Sequence, residues 1–263
     1  MSISFVVQKP MRREKAVSSR AMIRKEEPSI SVIMPAYNER EHIADSVGNI
    51  VMQLDGLGYR YEILVVDDGS TDGTFELVNE LNMMNVKVIR FSRNQGKGFA
   101  LMYGLNHVKG DFIFFIDSDM EIKTDNIERY ISALESYDLV IASKMLPQSR
   151  YEAPLMRRFL SVAFQTLVKL LVGVKATDTQ TGLKAGRAES LKRIFALLSV
   201  KRYAFDVELL TVAELLNFRF VEMPVNLKMS VWFKPIEALM MFKDLLGIAY
   251  RLKVRKWYQS QVF

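Results

Sequence analysis

Apolar positions along the chain follow two rhythms. From residue 29 onward, short apolar runs at 29–34, 61–66, 86–91, 111–116 and 138–142 have the length and makeup of buried strands. Between them, residues 39–54, 74–84, 97–108 and 126–137 carry apolar side chains at helical spacing. This alternation predicts an α/β fold with a mostly parallel, Rossmann-like sheet covered by helices on both faces. Beyond residue 154 the pattern is mainly helical, over 154–172, 187–198, 205–216 and 235–254, with short strands at 218–224 and 225–229. Residues 1–28 sustain no period and carry Lys9, Arg12, Arg13, Lys15, Arg20, Arg24 and Lys25, as a solvated basic tail would. The expected organisation is a flexible basic tail (1–28), an α/β domain (29–230) and an amphipathic, basic C-terminal helix (231–263).

Right-handed crossovers place the carboxyl ends of parallel strands along one edge of a sheet, the edge where open α/β folds bind ligands. The polar clusters of this chain follow the predicted strands. The first is followed by Pro35, Ala36, Tyr37, Asn38 and Glu39, and the second by Asp67, Asp68, Gly69 and Ser70. Asn94-Gln95-Gly96-Lys97-Gly98 follows the third, Asp117-Ser118-Asp119-Met120-Glu121 the fourth, and Ser143-Lys144 the fifth. That edge is therefore the expected active face.

Composition limits the chemistry. The chain has 263 residues, no cysteine and only two histidines, so a metal here must be held mainly by oxygen. A net charge of +6 suits a partner that carries phosphate without choosing among nucleotide, nucleic acid and anionic lipid. No run reaches the roughly 18 apolar residues of a membrane span. The N-terminus lacks the pattern of a secretory signal, so a soluble or surface-bound cytoplasmic protein is expected.

Asp117 and Asp119 stand where a buried strand delivers two carboxylates to its exposed end. Hard divalent cations such as Mg²⁺ or Mn²⁺ take oxygen ligands and share them with substrate phosphates, and Glu121 is near enough to join. Turn and helix-cap roles compete with this reading, and the neighbouring clusters favour the metal. Asp67 and Asp68 can accept hydrogen bonds from a base or ribose, whereas Asp72 and Thr74 fit a helix cap. Residues 95–98 open a helix whose free N–H groups suit an anion; Lys97 either assists a diphosphate or is a solvated helix-start lysine. The segment matches neither the dinucleotide fingerprint nor the P-loop.

Taken in order, Pro35-x-Tyr37-Asn38-Glu39, Val65-Val66-Asp67-Asp68-Gly69-Ser70, Asn94-x-Gly96-Lys97-Gly98 and Asp117-x-Asp119 resemble glycosyltransferase family 2 with its GT-A fold. Thr177 to Lys184 and Tyr203 to Leu210 look like its dolichyl-phosphate glucosyltransferase branch, closely related to the dolichyl-phosphate mannosyltransferases. The resemblance implies an inverting, metal-dependent transfer of a hexose, glucose before mannose, from UDP-glucose or GDP-mannose to dolichyl or polyprenyl phosphate. It implies donor contacts at Pro35, Tyr37, Glu39, Val66, Asp68, Asp117, Ser118, Asp119 and Glu121, with Asp117, Asp119 and Glu121 on the metal; Ala36, Asp67 and Lys97, beside them in the same clusters, are further donor-site candidates. Lys144 and Arg158 would hold the acceptor phosphate, and Lys228 and Lys234 would close over the donor diphosphate. A phosphate acceptor needs no general base, since its second pKa is about 6. A sugar hydroxyl acceptor would need one, for which Glu208 is a candidate, while Asp206 suits a structural role. A nucleotide-binding regulatory module has little use for the acidic metal set, and no motif for nucleic acid is present.

Residues 155–172 and 240–256 set apolar side chains beside clustered cations. Such helices either pack on the core or lie in an anionic membrane surface, and the family resemblance points to peripheral membrane binding.

Overall fold

The computed structural model describes residues 28–119, 127–229 and 235–262. The basic tail, apart from Pro28, lies outside the described residues, as do Glu121 and Lys234. The predicted alternation is present as β1 (Ile30–Ala36), α1 (Ile43–Leu57), β2 (Tyr61–Asp67), α2 (Thr74–Glu80), β3 (Val86–Arg90), α3 (Lys97–Leu105), β4 (Phe112–Phe115), α4 (Ile127–Leu134) and β5 (Leu139–Ser143). The second half adds β6 (Arg150–Glu152), α5 (Leu155–Leu171), β7 (Lys184–Arg187), α6 (Ala188–Phe195), α7 (Phe205–Leu215), β8 (Phe220–Pro224) and β9 (Asn226–Lys228). Helix α8 (Pro235–Ala249) continues through a π-helical stretch (Tyr250–Val254), and α9 (Trp257–Val262) follows.

The main sheet has seven strands in the order β3-β2-β1-β4-β7-β5-β8. Its pairings are parallel except those of β7, which runs antiparallel to both β4 and β5. Strands β6 and β9 pair separately, Glu152 opposite Lys228. Alternate residues of each central strand feed two cores. Val32, Met34, Val65 and Phe114 meet Val47 and Ile50 of α1 and Tyr130 and Ile131 of α4 on one face. Ile33, Leu64, Val66 and Phe115 meet Leu101 of α3, Ile194 and Phe195 of α6 and Phe205 of α7 on the other. This is the three-layer α/β arrangement that the strand–helix alternation predicts.

Several predicted boundaries move for local reasons. The helix expected from residue 39 begins at Ile43, because residues 39–42 form a turn in which the Glu39 carbonyl accepts the N–H groups of His42 and Ile43. Glu39 thereby stays in the loop facing the active edge. The helix expected over 74–84 stops at Glu80, near Asn82 in the left-handed conformation at φ 46°. Arg187, expected to open a helix, instead ends β7. Strands β6 and β7 and helix α9 have no counterpart among the elements expected from the sequence pattern.

The C-terminal segment is built into the body of the fold. Leu245, Ile248 and Tyr258 are fully buried in the core shared with α7. Glu208 of α7 is also buried; it accepts the backbone N–H groups of Ser199 and Val200, the Tyr258 hydroxyl, and Arg251 at 3.1 Å. A carboxylate saturated in this way is a fastening, and it is no base for an acceptor hydroxyl.

Candidate active site

Two cavities open at the carboxyl edge of the sheet and meet at the end of β4. The first, about 730 Å³, is polar, with Pro35, Ala36, Tyr37 and Glu39 on one side, Asp68, Asn94 and Lys97 at its base, and Asp117, Ser118 and Asp119 at its inner end. The second, about 430 Å³, is a groove between α5 and α8 with largely apolar walls. It also reaches Asp117 and Asp119, so the acidic pair stands where the two spaces join.

Short-range contacts hold the polar cleft in shape. Ser118 donates from Oγ to the Pro35 carbonyl at 3.0 Å, and Ser46 of α1 donates to the Ser118 carbonyl at 2.8 Å, locking the ends of β1 and β4 together. Asn38, in the left-handed conformation, receives the Thr71 N–H on its side chain and donates its own N–H to Ser70. Tyr37 is left half exposed on the rim.

The two adjacent aspartates have different fates. Asp68 lines the cleft and accepts the backbone N–H groups of Gln95 at 2.6 Å and Gly96 at 2.7 Å. Burial raises its pKa, opposed by those two donors and the Arg202 charge. Asp67 points inward; it accepts the Ser70 N–H at 3.0 Å and lies 3.3 Å from Nε of Arg90. Val66 is likewise in the core. Neither Asp67 nor Val66 lines the cleft: Asp67 braces the loop through Ser70 and Arg90, and Val66 packs in the core. The N–H groups around the start of α3, where an anion site was expected, are partly engaged from within. Asp68 takes the N–H groups of residues 95 and 96, and the Lys201 carbonyl takes that of Phe99.

Lys97 reaches both oxygens of Asp117, at 2.7 and 2.8 Å. Burial alone would lower its pKa, but Asp117 and Asp206 more than offset this and raise it. Glu39 shows what the crowding of carboxylates costs: burial, then the charges of Asp119 and Asp117, push its pKa up from 4.5 to about 7. A divalent cation held by Asp117 and Asp119 would relieve that repulsion, and an all-oxygen donor set suits Mg²⁺ or Mn²⁺. The residues present fit such an ion; among the described residues no third carboxylate closes the set, and Glu121 lies outside them.

On the groove side, the structure redistributes the expected acceptor residues. Lys144 is buried, its Nζ 2.9 and 3.0 Å from the two oxygens of Asp178. Burial alone would raise the Asp178 pKa, but Lys144 and the Thr181 hydroxyl hold it below its ordinary value. Arg158 turns away from the groove, packing its guanidinium 6.0 Å from the Tyr151 ring in a separate hollow. Its neighbour Arg157 lines the groove together with Leu160, Ser161 and Phe164. Helical spacing sets this phase, and the periodicity of residues 157, 160, 161 and 164 would have revealed it. Lys228 is exposed on β9, while Leu227 and Met229 on either side of it face the groove, as the period of a strand requires.

Among the residues that line these spaces without having been singled out for them are Gln180, Gly182, Arg202, Tyr203 and Glu237. Gly182 packs so closely on Asp117 that a side chain there would overlap the carboxylate. Asp206, which also reaches the cleft, is held 2.8 Å from the buried Lys184, whose Nζ also donates to the Thr181 carbonyl.

Outside the groove α5 and α8 expose large apolar side chains beside cations such as Arg158, Lys169 and Lys243. Leu155 is 81% exposed and Phe159 69%, and Leu239 on α8 is 63% exposed. Among the described residues no helix is long and apolar enough to cross a membrane.

Comparison with known proteins agrees with this architecture. Residues 31–195 match the family described as Glycosyl transferase family 2. The chain is 31% identical over 251 residues to a dolichyl-phosphate beta-glucosyltransferase of Dictyostelium discoideum, covering 87% of this chain and 76% of that protein. The human protein of the same name is 30% identical over 253 residues, covering 88% and 78%. Among solved structures, glucosyl-3-phosphoglycerate synthase from Mycobacterium tuberculosis, in complex with Mn²⁺, UDP and glucosyl-3-phosphoglycerate, superposes with a TM-score of 0.64. It shares 22% identity over 85% of this chain and 79% of its own, a likeness of fold.

Proposed function

We propose, for a chain that belongs to glycosyl transferase family 2 and is a glycosyltransferase, that it moves glucose from UDP-glucose to the phosphate of dolichol or a similar polyprenol. The observation that carries this reading is the meeting of a polar cleft and an apolar groove at Asp117 and Asp119. A nucleoside diphosphate fits the polar space, and a prenyl chain with a phosphate at its tip fits the groove. The names of the relatives support both the sugar and the acceptor.

In this proposal Tyr37, Glu39 and Asp68 border the nucleoside, and Lys97 and Arg202 face the diphosphate. Asp117 and Asp119 hold a divalent ion, with Glu121 as a further ligand, and Lys234 closes over the donor diphosphate. That ion, when bound, supplies positive charge to the departing diphosphate. Arg157 takes the acceptor phosphate, with Lys144 and Asp178 forming the floor beneath it. The acceptor is already ionised near neutral pH, so its oxygen attacks the anomeric carbon without a base. One in-line displacement inverts that carbon. The burial of Glu208 among structural donors disfavours the hydroxyl-acceptor reading.

The exposed apolar ridge of α5 and α8 would rest in the membrane surface. Lys253, Arg255 and Lys256, exposed beyond the inward-turned Arg251, would meet anionic lipids of the cytoplasmic leaflet, making residues 231–263 both a core element and a peripheral anchor. Residues 29–230 would carry the chemistry, and the basic tail would add to surface attraction.

The test is transfer of radiolabel from UDP-glucose or GDP-mannose to dolichyl phosphate with Mg²⁺ or Mn²⁺. Label entering the organic phase from UDP-glucose, and abolished by Asp119→Ala, is expected. Transfer from GDP-mannose alone would overturn the sugar assignment. Transfer only to soluble hydroxyl acceptors would overturn the lipid acceptor.

A further inference from the structure

We infer that Gln180 and Glu237 form the sugar-recognition site, reading the hydroxyl groups of the transferred hexose. The inference rests on the donor and acceptor assignments of the proposed function and adds the part that binds the sugar itself.

The argument begins with where the sugar must lie. It is bonded to the donor phosphate before the reaction and to the acceptor phosphate after it, so it occupies the junction of the two cavities. Four residues line both of them: Asp117, Asp119, Gln180 and Glu237. Asp117 is engaged by Lys97, and with Asp119 forms the acidic pair at the strand end. Gln180 and Glu237 come from other elements, the first from the loop before β7 and the second from the first turn of α8.

Their chemistry fits a neutral polyol. A carboxylate accepts hydrogen bonds from two adjacent hydroxyls, and an amide both donates and accepts. A Glu237 carboxylate would repel the donor diphosphate and the acceptor phosphate alike. It therefore keeps both phosphates out of the space between them and is compatible with the uncharged sugar. Gln180 is pre-positioned: its backbone N–H donates to Asp178 at 3.0 Å, while its side-chain amide lies 4.0 Å from the Met241 sulfur. A thioether is a weak acceptor, readily exchanged for a hydroxyl oxygen.

A carboxylate in the first turn of a helix also stabilises that helix through its dipole, which is the competing account of Glu237. Binding measurements separate the two. Calorimetric titrations with Mn²⁺ would compare UDP with UDP-glucose on the full chain, on Glu237→Gln and on Gln180→Ala, with circular dichroism confirming the fold. Each variant is expected to bind UDP as the unaltered protein does and UDP-glucose roughly 10- to 100-fold more weakly, the loss of a hydrogen bond involving a charged or buried partner. Preference for UDP-glucose over its 4-epimer is expected to fall in the same variants. Equal losses for UDP and UDP-glucose would place these residues on the diphosphate or its cation and overturn the inference. Unchanged affinity for both would leave Glu237 a helix-stabilising residue and also overturn it. Failure of the unaltered protein to bind either ligand would sink the donor assignment beneath it.

Discussion

Gly182→Ala tests whether the position of Asp117 governs the reaction. Gly182 sits beside β7, and its backbone φ is not in the left-handed region, so alanine is compatible with the chain there. The obstacle is contact: a Cβ on Gly182 would overlap Oδ2 and Cγ of Asp117 and stand 3.1 Å from its Cβ. To restore ordinary separation the carboxylate must retreat by about 1.5 Å. Displacement of about 1 Å at a reacting centre lowers rates by about 100-fold, equivalent to about 2.7 kcal/mol. Steady-state turnover with the nucleotide sugar and lipid phosphate is therefore expected to fall by at least that factor. Overall stability should change far less, because the clash is relieved toward the open cleft. The assay pairs kcat with a denaturant melt and a metal titration, in which the apparent affinity for Mn²⁺ should also weaken. Unaltered kcat and Mn²⁺ affinity in a folded Gly182→Ala protein would refute the reasoning, since Asp117 would then tolerate displacement.

Three further perturbations follow from contacts described above. Arg157→Ala should raise KM for the lipid phosphate about 10- to 100-fold, as loss of a charge-assisted phosphate contact does, and leave KM for the donor unchanged; Arg158→Ala should change neither by more than about threefold. Asp178→Ala leaves Lys144 buried and unpaired and should cost about 3–5 kcal/mol in a denaturant titration, most of it recovered in the double variant Lys144→Met/Asp178→Leu. Because the Asp178 pKa is depressed, its contribution is present above pH 3.8 and lost as the pH falls through its lower folded value. For Glu39 the sign reverses. With its pKa raised from 4.5 to about 7, the folded state binds more protons and loses stability as pH rises across that window. Metal-free Glu39→Gln should therefore be more stable than the parent at pH 8 by about 1–2 kcal/mol, allowing for the screening of a half-buried group, with the difference gone by pH 4.

The parts legible in the sequence were those set by short-range pattern. Strands β1 to β5 are dense in β-branched and aromatic residues, and the polar clusters mark their ends, so the first half and its active edge could be read directly. The acidic pair and the cleft residues Tyr37, Glu39, Asp68 and Lys97 fell where the motifs placed them. Strand β7 was hidden because Lys184-Ala185-Gly186-Arg187 has charges at both ends; Lys184 is tolerated inside only because Asp206, brought in by α7, stands 2.8 Å away. The fate of Glu208 depended on Arg251 and Tyr258, which meet it only through the tertiary fold. Asp67 and Asp68 are neighbours in every sequence-level respect, and only the direction of each side chain separates loop support from cleft wall. Arg157 and Arg158 pose the same problem on a helix, where one position is about 100° of rotation.

The antiparallel strand β7 has a consequence for how the chain reaches its final form. β5 is made before β7, yet its neighbours in the sheet are β7 and β8, both later in the chain. The first four strands can join as soon as they are synthesised, but β5 must wait about 40 residues for a partner. During that interval the apolar Phe112–Phe115 strand presents an open edge, the kind of template on which nascent chains aggregate. The sheet is thus completed out of order, by an insertion that seals β4 and recruits β5 in one event. A fragment ending before residue 184 would retain the motifs that follow β1 to β5 and lack this seal, so it should be recovered as insoluble protein.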